Sequence, residues 1–323
     1  MIHPYRTLAA MLLLLFVANG SAAQDLSVPI ERNFAVSAGG ELTVDLDRGS
    51  ISVETSNRNE IDVRIEREGS DEFLERMKFN VEETSNGVTV RGDYDGNTSW
   101  WRSGNRNRVH VQVTIPSRYN VVLETSGGSI EVSDLEGSVR TTTSGGSLRF
   151  GSIDGPIHGR TSGGSIELEG STGTADVRTS GGSIRIGNVD GFVMARTSGG
   201  SVSIDRAGGE VDASTSGGGI TVNEVNGTIR AKTSGGSIKA YISQQPKGDC
   251  TLTTSGGGVQ VRLAPDVRVD VQASSSGGRV RTAVPITVVG EISRNRVTGT
   301  LNGGGPLLKL HTSGGGVSIE TAD

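Results

Sequence analysis

Apolar and polar residues alternate along this chain in short runs that return at a constant interval. The tetrapeptide Thr-Ser-Gly-Gly begins at Thr125 and again every 18 residues up to Thr233. Irregular copies follow at Thr254, Ser275 and Thr312. Counting the first residue of each copy as position 1, position 6 is apolar, position 7 is mostly polar and position 8 is usually apolar. This alternation predicts a strand with one buried face in every unit.

The repeated positions divide each unit into two strands and two corners. Position 13 is Gly and position 15 is apolar in all six regular units. We predict a strand at about positions 5–8, a corner near 9–13 and a second strand from about 14 into the next unit. The Gly-Gly pair and the Gly at position 13 are expected to take positive φ angles at these corners. Position 6 is aliphatic in all ten units: Ile130, Leu148, Ile166, Ile184, Val202, Ile220, Ile238, Val259, Val280 and Val317.

One unit alone buries too little apolar surface to fold, so the units are expected to stack. Successive strands would then be parallel and about 4.8 Å apart, with like side chains in continuous columns. Strand connections of this kind are almost always right-handed. The predicted fold class is all-β: a single-stranded right-handed parallel β-solenoid (β-helix) with 18-residue coils.

The region before the regular units keeps their alternation but loses their period. Residues 24–118 are predicted to form irregular N-terminal strands and a cap of the solenoid, since solenoids need capped ends. Residues 71–78 form the one predicted helix, with acidic residues at its start. The repeat solenoid is predicted over 119–323, with insertions after residue 240. Strand patterns occur at 49–53, 61–65, 88–90 and 109–113.

Residues 1–23 have the three regions of a secretory signal peptide. Arg6 supplies a positive charge, residues 8–18 form an apolar run, and Ser-Ala-Ala at 21–23 is a small-residue cleavage site. The alternative is an uncleaved membrane anchor, but the run at 8–18 is too short for one, because spanning a bilayer needs about 20 apolar residues. The residue after the cleavage site is Gln24 rather than Cys, so a lipoprotein anchor is not indicated. We expect an exported bacterial protein, periplasmic or extracellular, with no transmembrane span after cleavage.

Composition and charge narrow the chemistry. The 323 residues carry a formal charge of −5, well mixed along the chain, which gives no signal for nucleic acid. Cys250 is the only cysteine, so neither disulfides nor a thiolate metal site is expected. The three histidines after residue 23 are far apart in sequence: His110, His158 and His311. We therefore expect no catalytic site, no cofactor and no metal.

Two special uses of the repeat are also disfavoured. Calcium-binding β-rolls need acidic residues after their Gly-Gly pairs, whereas Ser and an aliphatic residue usually follow here. The Thr and Ser columns of the tetrapeptide resemble an ice-ordering array, but charged residues precede several of them. We expect these hydroxyls to bond to one another and to the corner backbone.

The chain resembles a known bacterial family. The carrying features are Gly-Ser-Ile at 49–51, Ile-Asp-Val-Arg-Ile at 61–65 and the Thr-Ser-Gly-Gly-Ser-Ile units from Thr125 onward. Together they resemble the "putative adhesin" family of unknown function and cover most of the chain after residue 23. The resemblance implies a secreted or membrane-tethered β-solenoid, and it implies no catalytic residues. Fold alone does not define function.

A column of cations at position 18 is the first candidate binding surface. Like charges stacked one strand apart repel each other. The column is therefore either balanced by Asp176 and Asp212, two residues earlier in their units, or used on an anionic partner. A solvated face that blocks edge aggregation is the alternative without function. The cations are Arg160, Arg178, Arg196 and Lys232, and Thr142 and Ser214 complete the column.

The second candidate surface is the polar segment 93–108, which contains Trp100, Trp101 and Arg102. Adjacent Trp side chains can stack on sugars or anchor a protein partner. They can equally plug the end of the stack.

The sequence favours an exported cell-envelope β-solenoid that acts as a non-catalytic structural or binding module, similar to an adhesin. Its partner is expected to be an envelope polymer such as an acidic glycan, or an envelope protein. The alternative is a polysaccharide-active β-helix enzyme of the cell envelope. Its carboxylates would come from the inserted C-terminal units, at Asp249, Asp266 and Asp270.

Overall fold

The computed structural model describes residues 28–96, 107–288 and 293–322, which form an all-β fold with one short helix. The helix is α1 (Asp71–Arg76). The strands are β1 (Ile30–Ala35), β2 (Glu41–Leu46), β3 (Ser50–Ser56), β4 (Glu60–Glu68), β5 (Met77–Thr84), β6 (Gly87–Tyr94), β7 (Arg108–Pro116), β8 (Asn120–Thr125), β9 (Ile130–Val132), β10 (Leu135–Glu136), β11 (Val139–Thr143), β12 (Leu148–Asp154), β13 (Ile157–Arg160), β14 (Ile166–Ser171), β15 (Ala175–Arg178), β16 (Ile184–Val189), β17 (Val193–Arg196), β18 (Val202–Ala207), β19 (Val211–Ser214), β20 (Ile220–Val225), β21 (Ile229–Lys232), β22 (Ile238–Ile242), β23 (Cys250–Thr254), β24 (Val259–Leu263), β25 (Val269–Ser275), β26 (Val280–Thr282), β27 (Thr287–Val288), β28 (Arg296–Leu301), β29 (Leu307–Thr312) and β30 (Val317–Thr321).

Two long sheets share these strands, and each regular repeat gives one strand to each sheet. Strands β9, β12, β14 and β16 are parallel neighbours in the first, sheet A. Strands β11, β13, β15 and β17 are parallel neighbours in the second, sheet B. Like positions are paired, so that Leu148 lies between Ile130 and Ile166, and all three side chains are buried. The inward side chains of both sheets form one apolar core.

The strands of sheet A run further than the predicted positions 5–8. Strands β14 and β16 continue to position 11, where Ser171 pairs with Val189. Both of these side chains point inward and are buried. Positions 8 and 11 both point inward although they are three residues apart, so the alternation breaks between them, where Glu169 and Gly187 are not paired. The strand resumes after this irregularity, and the corner is shorter than the pattern indicates.

The threonine of each tetrapeptide fastens its corner to the preceding repeat. Thr161 donates its hydroxyl hydrogen to the carbonyl oxygen of Gly146 over 2.7 Å and accepts the N–H of Gly164 over 3.3 Å. The same pair of bonds recurs at Thr179 and Thr197. These threonines are buried, so the expected bonds to corner backbone are confirmed for the Thr column. Buried hydroxyls with both bonds made stabilise the corner rather than face solvent.

The expectation that the Gly-Gly pairs take positive φ angles is wrong. Among the glycines that the structure describes, none of these pairs has such a φ. At position 13 the expectation holds for Gly137 and Gly155, with φ of 150° and 154°, and is wrong for Gly173, Gly191, Gly209 and Gly227. The second glycine of the pair is instead needed for close stacking. A Cβ atom on Gly146 would lie 2.1 Å from the carbonyl oxygen of Gly128, and one on Gly164 would lie 2.0 Å from that of Gly146.

The N-terminal strands do not stack in the order of the sequence. Strands β2 and β3 lie between β8 and β9 on one side and β6 and β7 on the other. Beyond them, β4 and β1 extend sheet A with antiparallel pairing, and β5 does the same for sheet B. The predicted helix is present but ends at Arg76, because Met77 begins β5. Antiparallel strands thus cover this end of the parallel stack.

The C-terminal repeats show the same change of order. The chain passes from β23 and β24 to β25 and β26, and only then forms β29 and β30. In space, however, β29 pairs with both β23 and β25, and β30 pairs with both β24 and β26. The Thr312 repeat is therefore inserted between the Thr254 and Ser275 repeats. Segments near both ends of the described chain are each clamped between strands that are distant in sequence.

The two glycines of one pair provide a direct test of the stacking constraint. Gly146→Ala places a methyl group against the Gly128 carbonyl, so the corner must open, and we expect a loss of about 1–3 kcal/mol in the free energy of unfolding. In Gly145→Ala the nearest atom is 3.5 Å away, and we expect a change within about 0.5 kcal/mol. Urea unfolding followed by circular dichroism measures both. Equal losses in the two variants would contradict the proposed role of the second glycine.

Cys250 reports on the inserted C-terminal segment. Its thiol is buried opposite Leu308, and burial raises the pKa of Cys250, so the native protein should react slowly with a thiol reagent at neutral pH. Leu308→Asp puts a carboxylate in the core and should release the segment, speeding labelling by about tenfold or more. Lys309→Asp, on the exposed side of the same strand, is the control and should label at the native rate. Slow labelling in both variants would contradict the clamped arrangement.

Candidate functional site

The position-18 column lies on the outer face of sheet B. The backbone register places Arg160 directly beside Arg178, and Arg178 beside Arg196. Ser214 follows Arg196, and Lys232 follows Ser214. The sequence therefore identified a real column, because parallel in-register strands bring like positions of successive repeats together.

Two of these cations are neutralised by carboxylates. Arg178 donates from Nε to Oδ1 of Asp176 over 3.0 Å and from Nη2 to Oδ2 over 3.3 Å. Arg196 donates from Nη2 to Oδ2 of Asp212, in the next repeat, over 2.7 Å. The two arginine side chains are about 40 % exposed, and such pairs at a surface order the side chains more than they stabilise the fold. The balance by Asp176 and Asp212 that the spacing indicated is present.

The remaining cations of the column have no carboxylate partner in the described part of the chain. Arg160 and Lys232 are exposed, and neither forms an ion pair with a described residue. Arg140 and Lys309 lie on the same outer face, one column away. The face thus combines paired arginines at its centre with cations on either side that form no ion pair with a described residue, an arrangement suited to an extended anionic partner.

The second surface that the sequence indicated lies outside the described residues. Trp100, Trp101 and Arg102 fall between residues 96 and 107, the two ends of a gap in the structure. Residues 1–23, the predicted signal peptide, also lie outside the described ranges.

The carboxylates considered for catalysis hold backbone instead. Asp249 accepts the N–H of Leu307 over 2.9 Å, and Asp270 accepts the N–H of Gly305 over 3.4 Å. Asp266 is exposed. Asp249 and Asp270 thus fasten the chain at the start of β29. Neither bond places a carboxylate in position for acid–base chemistry with its neighbour.

The histidines are separated in space as in sequence. His110 lies in sheet A, with its two ring nitrogens each 2.9 Å from a hydroxyl, those of Ser50 and Ser52. His311 lies in sheet B, 2.9 Å from the hydroxyl of Ser274. No group of three or more His, Cys, Asp or Glu side chains within the described ranges is arranged to hold a metal ion.

Sheet A carries opposite charges at two places on its outer face, a feature that the sequence reasoning missed. On the central strands β3, β9, β12 and β14 a groove is lined by Glu54, Glu131, Glu167 and Glu169, with Arg149 beside them. Near the C-terminal end another groove is lined by Lys239, Arg279 and Arg281. The sequence shows the change of residue type at positions 5 and 7 of the repeats. Which of these residues share a groove, however, depends on the spatial order of the last two repeats.

The fold defines a class: an all-β repeat protein with two long, mainly parallel sheets. The particular family follows from the sequence match. The chain belongs to the Toastrack DUF4097 family, which it matches over residues 40–320. This agrees with the resemblance drawn from the repeat units. No curated protein sequence matches the chain.

Several solved structures are similar along most of the chain. One is a "putative adhesin" from Bacteroides fragilis, with 17% identity and a TM-score of 0.31, covering 91% of this chain and 97% of that one. A "putative lipid binding protein" from Parabacteroides distasonis has 14% identity, a TM-score of 0.33 and the same coverages. A "putative cell adhesion protein" from Clostridium sporogenes has 12% identity and a TM-score of 0.24, covering 91% and 100%. These low scores carry no argument about function. The described ranges contain no helix that is long and apolar enough to cross a membrane.

Proposed function

We propose that this protein is an exported cell-envelope module that binds an acidic glycan without catalysis, in the manner of an adhesin. The supporting observation is the in-register column on sheet B, which holds Arg160, Arg178 and Arg196 on adjacent strands and Lys232 two strands further on. Cations at a fixed spacing match a polymer whose negative charges also recur. The scaffold is rigid, so little conformational entropy is lost on binding.

The paired arginines contribute to this proposal through their orientation. The carboxylate of Asp176 holds the Arg178 guanidinium with two bonds, and Nη2 also donates to Sδ of Met194 over 3.0 Å. The two N–H groups of Nη1, which have no acceptor among the described residues, are left for a ligand. Arg160 and Lys232, which have no described carboxylate partner, supply the net charge that attracts an anion. Binding of this kind is expected to weaken as salt is added, because exposed charges are screened.

The same proposal includes export and the finer architecture. Cleavage after Ala23 would deliver the protein to the periplasm or the cell exterior. The cap would occupy 24–118 and the repeat solenoid 119–323. Partner strands whose residues lie 18 apart support 18-residue coils, as at Ile166 and Ile184. The strong general preference for right-handed connections supports a right-handed solenoid.

The column is tested by removing its charges. Replacing Arg160, Arg178, Arg196 and Lys232 with Ser copies the residue already present at Ser214, so the fold should be kept. We expect about tenfold weaker binding to polygalacturonate, since each exposed charge contributes modestly. Titration calorimetry at low ionic strength measures the affinity, and thermal unfolding checks the fold.

The matched control raises the charge of the same face. Asp176→Asn with Asp212→Asn frees Arg178 and Arg196 and should strengthen binding. A separate Trp100→Ala, Trp101→Ala variant tests the other named surface. Binding to polygalacturonate and to envelope fractions that is unchanged in the column and Trp variants would reject both surfaces.

A further inference from the structure

A groove on the outer face of sheet A, away from the sheet B column, has the features of an anion site. It encloses about 620 Å³ where the inserted Thr312 repeat meets its two neighbours. Lys239 pairs with Gln260, Gln260 with Ser318, and Ser318 with Arg281. The two end cations are thus three strand spacings apart, roughly 14 Å. Arg279 lies two residues before Arg281 and also lines the groove.

The floor of the groove is open because two side chains are missing there. Position 5 is Ser in the five repeats from Ser129 to Ser201 and again at Ser237, and Gly at Gly219, Gly258 and Gly316. Only Gly258 and Gly316 line the groove, on adjacent strands and with cations beside them. In those regular repeats the Ser hydroxyl covers the outer surface, and it accepts the next repeat's N–H, as from Ser165 to Ser147 over 3.2 Å. Gly258 and Gly316 leave backbone exposed in its place.

The same two glycines leave backbone donors without acceptors. The N–H of Gly258 still bonds to the Ser237 hydroxyl over 3.1 Å. The N–H groups of Gly316 and Arg279 instead lie beside a glycine of the neighbouring strand, which has no hydroxyl. Neither N–H group has an acceptor among the residues described. By analogy with the regular repeats they point towards the space that a Ser hydroxyl would occupy, which is the groove. Outward N–H groups beside cations form an anion-binding surface.

The local charge balance is positive. Lys239, Arg279 and Arg281 form no ion pair with any described residue. Among the residues that the structure describes, the carboxylate of Glu320 bonds to two residues of the groove: it accepts hydrogen bonds from Ser318 over 2.8 Å and from Gln260 over 3.1 Å. These bonds, with the charge of Arg262, lower the pKa of Glu320, so it stays ionised at neutral pH. It does not line the groove, and it offsets only one of the three cations.

We propose that this groove binds a chain-like polyanion with carboxylate or phosphate groups through Lys239, Arg279 and Arg281, with the Gly316 and Arg279 N–H groups receiving an oxyanion between them. The span between the end cations suits a ligand with at least two negative groups. Carboxylated and phosphorylated saccharides share this chemistry. The groove and the sheet B column are separate surfaces, so either can fail without the other.

The groove is tested with substitutions that the repeats themselves already contain. Lys239→Ser and Arg281→Ser copy Ser318, and Arg279→Ser copies the usual residue of position 5. The triple variant should bind an anionic probe about tenfold more weakly or worse. Arg149→Ser with Arg185→Ser is the matched control, because it removes two cations from the same column, both of which pair with Glu167. That control should bind as the native protein does.

A second variant keeps all charges and closes the floor. Gly258→Ser supplies a hydroxyl that accepts the Gly316 N–H and fills part of the groove, so it should also weaken binding. The probes are hexagalacturonate for carboxylates, tripolyphosphate for phosphates and maltohexaose as the neutral sugar, measured by titration calorimetry at low ionic strength. Thermal unfolding of each variant verifies its fold.

The outcomes separate the two surfaces and the two ligand sources. Loss in the triple and Gly258→Ser variants, with the sheet B column variant unaffected, supports the groove. Binding of only one charged probe, lost in the same variants, supports the groove and identifies its ligand as carboxylated or phosphorylated. Native-like binding by the triple variant, equal loss in the Arg149, Arg185 control, or no binding of either anionic probe by the native protein would overturn the proposal. Loss in the column variant alone would overturn it and leave the proposed function standing.

Discussion

The close approach of successive Gly-Gly corners is the constraint on which the rest of the structure depends. The second glycine of each pair lies so near the carbonyl of the preceding repeat that any side chain would collide with it, as at Gly146 and Gly164. The same carbonyl accepts the buried Thr hydroxyl of the following repeat, as in the bond from Thr161 to Gly146. The Thr at position 1 and the Gly at position 4 therefore together set the distance between successive repeats. The parallel strands and the aliphatic columns can pair in register only because the corners permit this spacing.

A corner that fixes the spacing leaves the outer positions free to vary. Positions 7 and 18 carry Glu, Arg, Lys, Ser or Thr without affecting the corner, and the sheets hold whatever charges are there at regular intervals. Paired charges such as Arg178 with Asp176 produce a nearly neutral stretch of surface. Unpaired ones such as Lys239 and Arg281 produce a positive stretch. The two faces of one scaffold can thus hold different charge patterns, and the fold does not determine which of them binds a ligand.

The period alone was enough to predict the strands, the core and the sheet B column. Ile130, Leu148 and Ile166 are aligned as the 18-residue spacing indicated, because a parallel in-register stack turns period into position. The Gly-Gly φ angles were predicted wrongly because conformational freedom and lack of a Cβ favour the same residue, and sequence does not distinguish these causes. The sheet A groove was missed for another reason. It depends on Ser318 lying between Gln260 and Arg281, whereas sequence order places the Ser275 repeat next to the Thr254 repeat.

That change of order links the end of the stack to the groove. Gly316 and Ser318 of the groove floor belong to the inserted β29–β30 repeat. This repeat is held between strands that precede it in the sequence. This repeat is the common neighbour of β24 and β26, and it places Ser318 between Gln260 and Arg281 in the groove. The aliphatic side chains Leu308 and Leu310 hold the segment from inside, while its polar residues face outward. The groove, as lined by Gly316 and Ser318, therefore requires the C-terminal repeat to be inserted. An anion that binds the inserted state and not a state with this segment released would stabilise the inserted state.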